Sequence, residues 1–233
     1  MPKLNSISIF AAFLLTTALS TGLGSSYAVA ENAVVIPAAV LLEPVNGSGM
    51  EKAVLAGGCF WGVQGVFQHV NGVQNAVSGY AGGAADTASY ETVSGGQTGH
   101  AESVEITFDP HVINYATLLQ IYFSVAHDPT ELNYQGPDSG TQYRSAIFPE
   151  NEAQAQVAKA YIDQLNKAAV YKAPIVTSIE PTQKFYPAEG YHQNYLTLHP
   201  DQPYIAYNDI PKVKDLNHLF PNLYSDKPKL VKG

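Results

Sequence analysis

One cysteine, Cys59, stands in the whole 233-residue chain, and that scarcity limits the fold more than any other feature. A single thiol cannot form a disulfide within its own chain, so small, disulfide-stapled scaffolds are excluded. Stability has to come from a hydrophobic core, for which about 200 residues suffice in one domain. The thiol also poses a chemical question, because the chain opens like an exported protein. Lys3 precedes an apolar run from Ile7 to Leu19, and small residues at Ala28 and Ala30 follow. That order reads as a secretory signal peptide over residues 1–30, removed after Ala30. The apolar run is short for a bilayer span, no other run approaches it, and no cysteine follows it to take a lipid. The expected product is periplasmic or secreted, with no membrane insertion after processing. Exported proteins ordinarily pair their cysteines or avoid them. A retained lone thiol is therefore a candidate for chemistry, although burial as a small hydrophobe is the commonest fate of a free cysteine.

The formal net charge is −8, and one unit more negative without Lys3, since residues 1–30 hold no acid. An acidic chain speaks against nucleic acid or an anionic membrane as partner. Residues 31–50, with two prolines and the turn formers of "NGSG", read as a flexible tether or a draped extension before the domain at 51–233.

Within that domain "KAVLAGG" is a short buried strand stopped by glycine. Phe60, Val63, Phe67 and Val70 recur at helical spacing and predict a helix from about Cys59 to Asn71-Gly72. "VQNAVSGYAGG" and the alternating "AESVEITF" are further strands, followed by a helix that Asn114 can cap. A long loop, "HDPTELNYQGPDSGTQ", leads to the strand "YRSAIF", then a helix over Glu150–Lys167 and a last strand in "PIVTSIEP". The order β-α-β-β-α-β-α-β contains the split βαβ unit of ferredoxin-like sandwiches. The expected fold is α+β, a two-layer sandwich on a mixed sheet, with an irregular, proline-rich tail from about residue 199.

Glycines on either side of Cys59 permit a sharp strand-to-helix turn and close approach of a ligand. The thiol then sits at a helix N-terminus, where unpaired N–H groups and the macrodipole favour a thiolate. From spacing alone, nucleophile and inert core cysteine are equally weighted. Glu102 opens a strand after a glycine-rich turn, from which a carboxyl can project into a cleft, or simply face solvent. Asp138, Tyr143 and Arg144 gather at a loop-to-strand junction, where a turn-forming Asp and a surface ion pair are the plainer roles. His100 or His192 could supply a base to the thiol. His100 and Glu102 alternate without a second histidine pair, so a metal site is not expected.

The segments "GGCFWG", "GYAGG", "YETVSGGQTGHAESVEITFDP", "HDPT", "GTQYRSAIF", "FYPAEGYHQNYL" and "HPDQPYI" resemble the A-type peptide-methionine (S)-S-oxide reductases, in the family's order, from about Lys52 to Tyr224. The resemblance implies a reductase for the S epimer of methionine sulfoxide, free or in oxidised proteins. It implies that Cys59 is the nucleophile and that Phe60 and Trp61 hold the substrate's S-methyl group. Glu102 corresponds to the acid that protonates the sulfoxide oxygen, Tyr90 and Tyr143 to its hydrogen-bonding tyrosines, and Asp138 to a carboxylate near the pocket. Tyr195 aligns with a further tyrosine lining the site. The chemistry agrees: a sulfoxide sulfur becomes electrophilic once its oxygen is protonated, and a partly buried Glu102 with a raised pKa can supply that proton.

No metal or organic cofactor is implied, only an external thiol reductant, from a glutathione-like thiol or a thioredoxin-like or glutaredoxin-like protein. A monomer is expected. Departures from the family pattern are Ser94, where many relatives carry cysteine, the absence of resolving cysteines in the tail, and Tyr134 and Pro137 in the long loop. Two other readings share the same residues. One is a cysteine hydrolase or acyl transferase, which needs a positioned base and an oxyanion hole. The other is a non-catalytic exported module that grips methionine in an aromatic cleft.

Overall fold

The computed structural model describes residues 33–44, 47 and 49–232; residues 1–30, read from the sequence as a signal peptide, lie outside them. Strand β1 (Glu51–Gly57) runs through the middle of a sheet between β3 (Ala101–Phe108) and β6 (Ser145–Phe148), antiparallel to both. Strand β2 (Val73–Ala81) pairs antiparallel on the far side of β3, setting Tyr80 opposite Glu102. These four strands make the ferredoxin-like arrangement. Two-residue strands extend both edges: β7 (Ser178–Ile179) parallel to β6, and β8 (Tyr186–Pro187) antiparallel to β2. The sheet is therefore mixed, as expected.

Strand β1 lacks polar alternation because both its faces are covered. Ala53 and Leu55 point into the main core, whereas Val54 and Ala56 join Ala81, Ala101, Ala146 and Phe148 on the other face, under Phe185. Helices α1 (Phe60–Gln68), α3 (Tyr115–Ile121) and α4 (Glu152–Lys167) all contribute to the main core, so the helical layer lies on one side. A short helix, α2 (Tyr90–Val93), joins β2 to β3. Asn114 caps α3 as expected, accepting from the Thr117 amide at 2.8 Å. The long loop is not structureless: a small hairpin of β4 (Tyr134–Gln135) and β5 (Asp138–Ser139) folds back. Gln135 pins it by exchanging hydrogen bonds with the backbone of Asp128.

Two further expectations are refined in detail. The extension over residues 33–44 takes the draped form of the two alternatives. Ile36 is buried in the core, Tyr161 and Gln164 of α4 donate to the carbonyls of Pro37 and Ala38, and Val34 donates to Ser124. Its prolines and alternating apolar residues serve packing against α4 rather than flexibility. The tail after residue 199 is also less irregular than its prolines suggest. A π-turn (Ile205–Asp209) leads into α6 (Ile210–Leu219), with Ile205, Val213 and Leu216 buried. Pro211 stands at the start of α6, directly after the π-turn.

Gly62 and Gly65 explain how the tail docks. Both lie on α1, and a Cβ at Gly65 would meet Leu196 Cδ1 at 2.5 Å, while one at Gly62 would meet Asp209 Oδ1 at 2.2 Å. The helix gives up about 1 kcal/mol of propensity at each glycine, and the missing side chains admit α5 (Tyr195–Leu198) and the π-turn to contact with its backbone. Gly65→Val should therefore overpack this interface and lower stability by roughly 1–3 kcal/mol, measured by urea unfolding. Unchanged stability would show that the tail does not depend on that contact.

Candidate active site

The central strand ends in Gly57-Gly58, and Gly58 takes a φ of +84°, which turns the chain directly into α1. Gly58 is also pressed against the hairpin, since a Cβ there would meet Gln135 Cβ at 2.6 Å. The turn leaves Cys59 at the N-cap of α1, with 8% of its surface exposed. The first free amide of the helix, Phe60 N–H, donates to Glu102 Oε2 at 3.0 Å. Glu102 is 2% exposed, on the strand next to the one that delivers the thiol.

Burial pushes the Glu102 carboxyl up to about 8; the Phe60 hydrogen bond opposes this, and the charges of Asp138 and Asp209 add to it. An acid in that range holds its proton through neutrality. The thiol departs from the sequence expectation of a favoured thiolate. Burial, then the charges of Glu102 and Asp209, push the Cys59 thiol well up, and the Trp61 amide bond to sulfur only partly offsets them. The helix N-terminus is present as expected, but its first donor serves Glu102, and desolvation outweighs the dipole.

The aromatic residues converge. Phe60 is buried against Tyr80 and His192, with ring centroids at 5.9 and 5.1 Å. Trp61 stacks on Tyr195 at 3.9 Å and 9°, and meets the edge of Tyr204 at 6.0 Å. Tyr90 lies 4.5 Å from the His192 ring and within the field of Glu102, Cys59 and Asp138. Tyr143, raised by burial and then by Glu102, Asp138 and Cys59, shares the same surroundings. Asp138 accepts a short hydrogen bond from the Tyr204 hydroxyl. Every site residue expected from the sequence thus belongs to one cluster.

The two histidines considered as bases are otherwise engaged. His100 bonds to Gly83 N–H and to the Ala84 carbonyl, closing the glycine-rich turn after β2. His192 Nδ1 accepts from the Trp61 indole N–H at 3.2 Å. Neither bonds to the thiol, so the hydrolase reading lacks its base. Arg144 takes the plainer role, with a bidentate pair to Glu180 at 2.7 and 3.0 Å and a bond to the Gly99 carbonyl. That clamp ties the start of β3, and hence Glu102, to the turn bearing Tyr143.

Several members of the cluster were not found from the sequence. Glu189 accepts from the Tyr80 hydroxyl at 2.8 Å and the Tyr90 amide at 3.0 Å, fixing α2 over the site. Tyr204 and Asp209 come from the tail that was read as irregular, and only the apolar spacing of Ile205, Val213 and Leu216 hinted that it folds.

Comparison with known proteins identifies the family. The family model described as peptide methionine sulfoxide reductase matches residues 51–222. The chain is 69% identical over 183 residues to "Peptide methionine sulfoxide reductase MsrA 2" of Mesorhizobium japonicum, covering 78% of this chain and 94% of the relative. It is 49% identical over 198 residues to the protein of the same name from Synechocystis, covering 84% and 91%. Among solved structures it resembles reduced Mxr1 of Saccharomyces cerevisiae, with a TM-score of 0.59, 34% identity, and coverage of 69% and 91%. It also resembles methionine sulfoxide reductase A of Corynebacterium diphtheriae, with a TM-score of 0.55, 31% identity, and coverage of 74% and 87%. A buried acid beside a buried thiol, walled by aromatics, is thus found in a chain that belongs to the peptide methionine sulfoxide reductase family, and the protein is an oxidoreductase that reduces methionine sulfoxide.

Proposed function

We propose that Cys59 is the nucleophile of this reduction and Glu102 its acid, acting on the S epimer of methionine sulfoxide, free or in oxidised proteins. One observation carries the reading: the Glu102 carboxyl, buried and raised to about 8, is hydrogen-bonded to the amide next to Cys59. The substrate's S-methyl group packs against Phe60 and Trp61, the latter backed by Tyr195. Tyr90 and Tyr143 hydrogen-bond the sulfoxide oxygen, with Asp138 at the rim of the pocket. Transfer of the Glu102 proton to that oxygen makes the sulfur electrophilic. The Cys59 sulfur attacks it, forming an S–S bond as the thiol proton passes to the Glu102 carboxylate. The hydroxyl then moves from the substrate sulfur to the Cys59 sulfur as that S–S bond and the S–O bond break, and methionine leaves. The oxygen ends on Cys59 as a sulfenic acid. Two electrons have passed from Cys59 to the substrate.

The step needs Glu102 protonated, so its contribution is present below pH about 8 and lost as the pH rises through that value. Cys59→Ser should abolish turnover. Glu102→Gln should slow single-turnover reduction of the S epimer by roughly 10²–10⁴-fold and remove the fall in rate above pH 8. A Glu102→Gln variant with the full single-turnover rate would show that another group supplies the proton.

Regeneration takes two thiol equivalents, which convert the sulfenic acid to thiol with release of water and a disulfide. The chain has no second cysteine to form an internal disulfide, so we infer that an external thiol attacks Cys59 directly and a second resolves the mixed disulfide. Stoichiometric S-sulfoxide without thiol should give one turnover and a sulfenic acid trappable by a carbon nucleophile. Small monothiols should then restore activity at least as well as thioredoxin. Thioredoxin-dependent turnover with no mixed-disulfide mass on Cys59 would rule out this route.

We further propose, from the character of residues 1–30, that the enzyme works as an exported, periplasmic monomer on oxidised envelope proteins. Edman sequencing of the protein recovered from the expressing cells should begin at Glu31; an intact Met1 on active cytoplasmic protein would overturn the assignment.

A further inference from the structure

Asn194 directly precedes Tyr195, the tyrosine stacked on Trp61, and its backbone is left-handed, with φ 60° and ψ 19°. That region strains a residue with a side chain, although asparagine tolerates it better than most. Asn194 also stands at the N-cap of α5, a place where asparagine ordinarily lies in extended backbone and bonds an amide of its own helix. Here the side chain caps no amide of α5. Both halves of it reach instead to a residue 37 positions on. Oδ1 accepts from the Val231 N–H at 2.9 Å, and Nδ2 donates to the Val231 carbonyl at 3.0 Å. A backbone donor and a backbone acceptor together fix which way the amide points, because neither can exchange roles.

Helix α1 holds the same residue from the other side. Trp61, Gln64 and Gln68 recur at intervals of three and four, along one face of that helix. Gln64 Oε1 accepts from the Asn194 N–H, and Gln68 Nε2 donates to Asn194 Oδ1, both at 2.8 Å. Gln193 is fastened in the same manner to β2, where its side chain exchanges hydrogen bonds with the Ser78 N–H and carbonyl at 3.0 and 2.9 Å. The stretch that delivers Val231 is itself tied to the end of α1, through the Ser225 and Lys229 amides.

We propose that Asn194 is a positioning residue for the substrate pocket: gripped by Val231, Gln64 and Gln68, it holds the strained turn that lays the Tyr195 ring on Trp61, 3.9 Å away and 9° from parallel. The inference rests on the reading that Trp61, backed by Tyr195, holds the substrate's S-methyl group. Cys59 and Glu102 are joined through Phe60 at the opposite end of α1, so the clamp governs how tightly substrate is held and leaves the chemical step alone. The segment after α6 thereby takes part in the pocket without entering it.

Trp61 is the only tryptophan in the chain, so its emission reports the stack in the absence of substrate. Three full-length variants are compared with the unmutated protein. Asn194→Gly keeps access to the left-handed turn and loses the amide, Val231→Pro removes the distant N–H donor, and Tyr195→Ala is the control for the pocket. Single-turnover reduction at increasing S-sulfoxide separates the half-saturation concentration from the limiting rate. Asn194→Gly and Val231→Pro should each raise the half-saturation by roughly 2- to 10-fold, the factor that loss of one aromatic stack implies. Both should shift the Trp61 emission to longer wavelength and leave the limiting rate unchanged. A residue that merely supports the fold would lower the urea midpoint without moving half-saturation or emission in native buffer, and that result overturns the proposal. Val231 belongs to neither hydrophobic cluster, so Val231→Pro keeps the test decisive if Asn194→Gly does not fold; unmoved values in Val231→Pro overturn the proposal by themselves. If Tyr195→Ala keeps the half-saturation of the unmutated protein, the pocket reading fails and takes this proposal with it. If Tyr195→Ala raises it while the other two variants do not, only the role of Asn194 fails.

Discussion

The hydrogen bond from the Phe60 amide to Glu102 Oε2, 3.0 Å long, joins the two halves of the chemistry to the middle of the fold. Its donor belongs to the helix whose N-cap is Cys59, and its acceptor to the strand paired with the one that ends at Gly57. Neither partner can move without disturbing the central pair of strands. The placement of the Cys59 thiol and the Glu102 carboxyl is therefore inherited from β-pairing rather than from loops. The positive φ of Gly58 makes this possible, because a side chain there would clash with Gln135 and strain the turn.

Around that bond the protein concentrates acids where water is scarce. Glu102 and Asp209 are buried and Asp138 lies close by, with Lys212 as the cation set against Asp209. Carboxyls gathered in low dielectric relieve their repulsion by keeping protons, and burial is the largest cause of the raised Glu102 carboxyl. The same surroundings disfavour a thiolate at Cys59, so the helix dipole alone does not describe this site. Burial raises both the thiol of Cys59 and the carboxyl of Glu102, so both groups favour their neutral forms.

The wall opposite the sheet is built by the residues from Tyr195 onward. Leu196 and Asp209 fit against the two glycines of α1, Tyr195 stacks on Trp61, and Tyr204 bonds to Asp138. The chain continues along the end of α1, with the Ser225 and Lys229 amides bonded to the carbonyls of His69 and Gln68. This tail carries packing and charge and holds no cysteine.

Much of this is written locally in the chain. A 3.6-residue period identifies α1, alternation identifies β3, and glycines on both sides of the only cysteine announce a tight turn, so the fold class and the place of Cys59 are legible without coordinates, while the roles of Cys59, Glu102 and the aromatic residues are implied by the family resemblance and not by spacing. Those signals are local because hydrogen bonds within helices and turns connect near neighbours in sequence. The docking of residues 33–44, the helix within the proline-rich tail, the Tyr204–Asp138 bond and the burial of Asp209 are not legible in this way, since each depends on residues 66 to 150 positions away meeting across the core. The ionisation of Cys59 shows the division most clearly. Its place at a helix N-terminus is a local fact that favours the thiolate, and the sequence alone determined it. Its actual balance is set by desolvation and by carboxyls from β3, the hairpin and the tail, and only the tertiary structure decided that, because an electrostatic environment is a property of the assembled interior and not of any one segment.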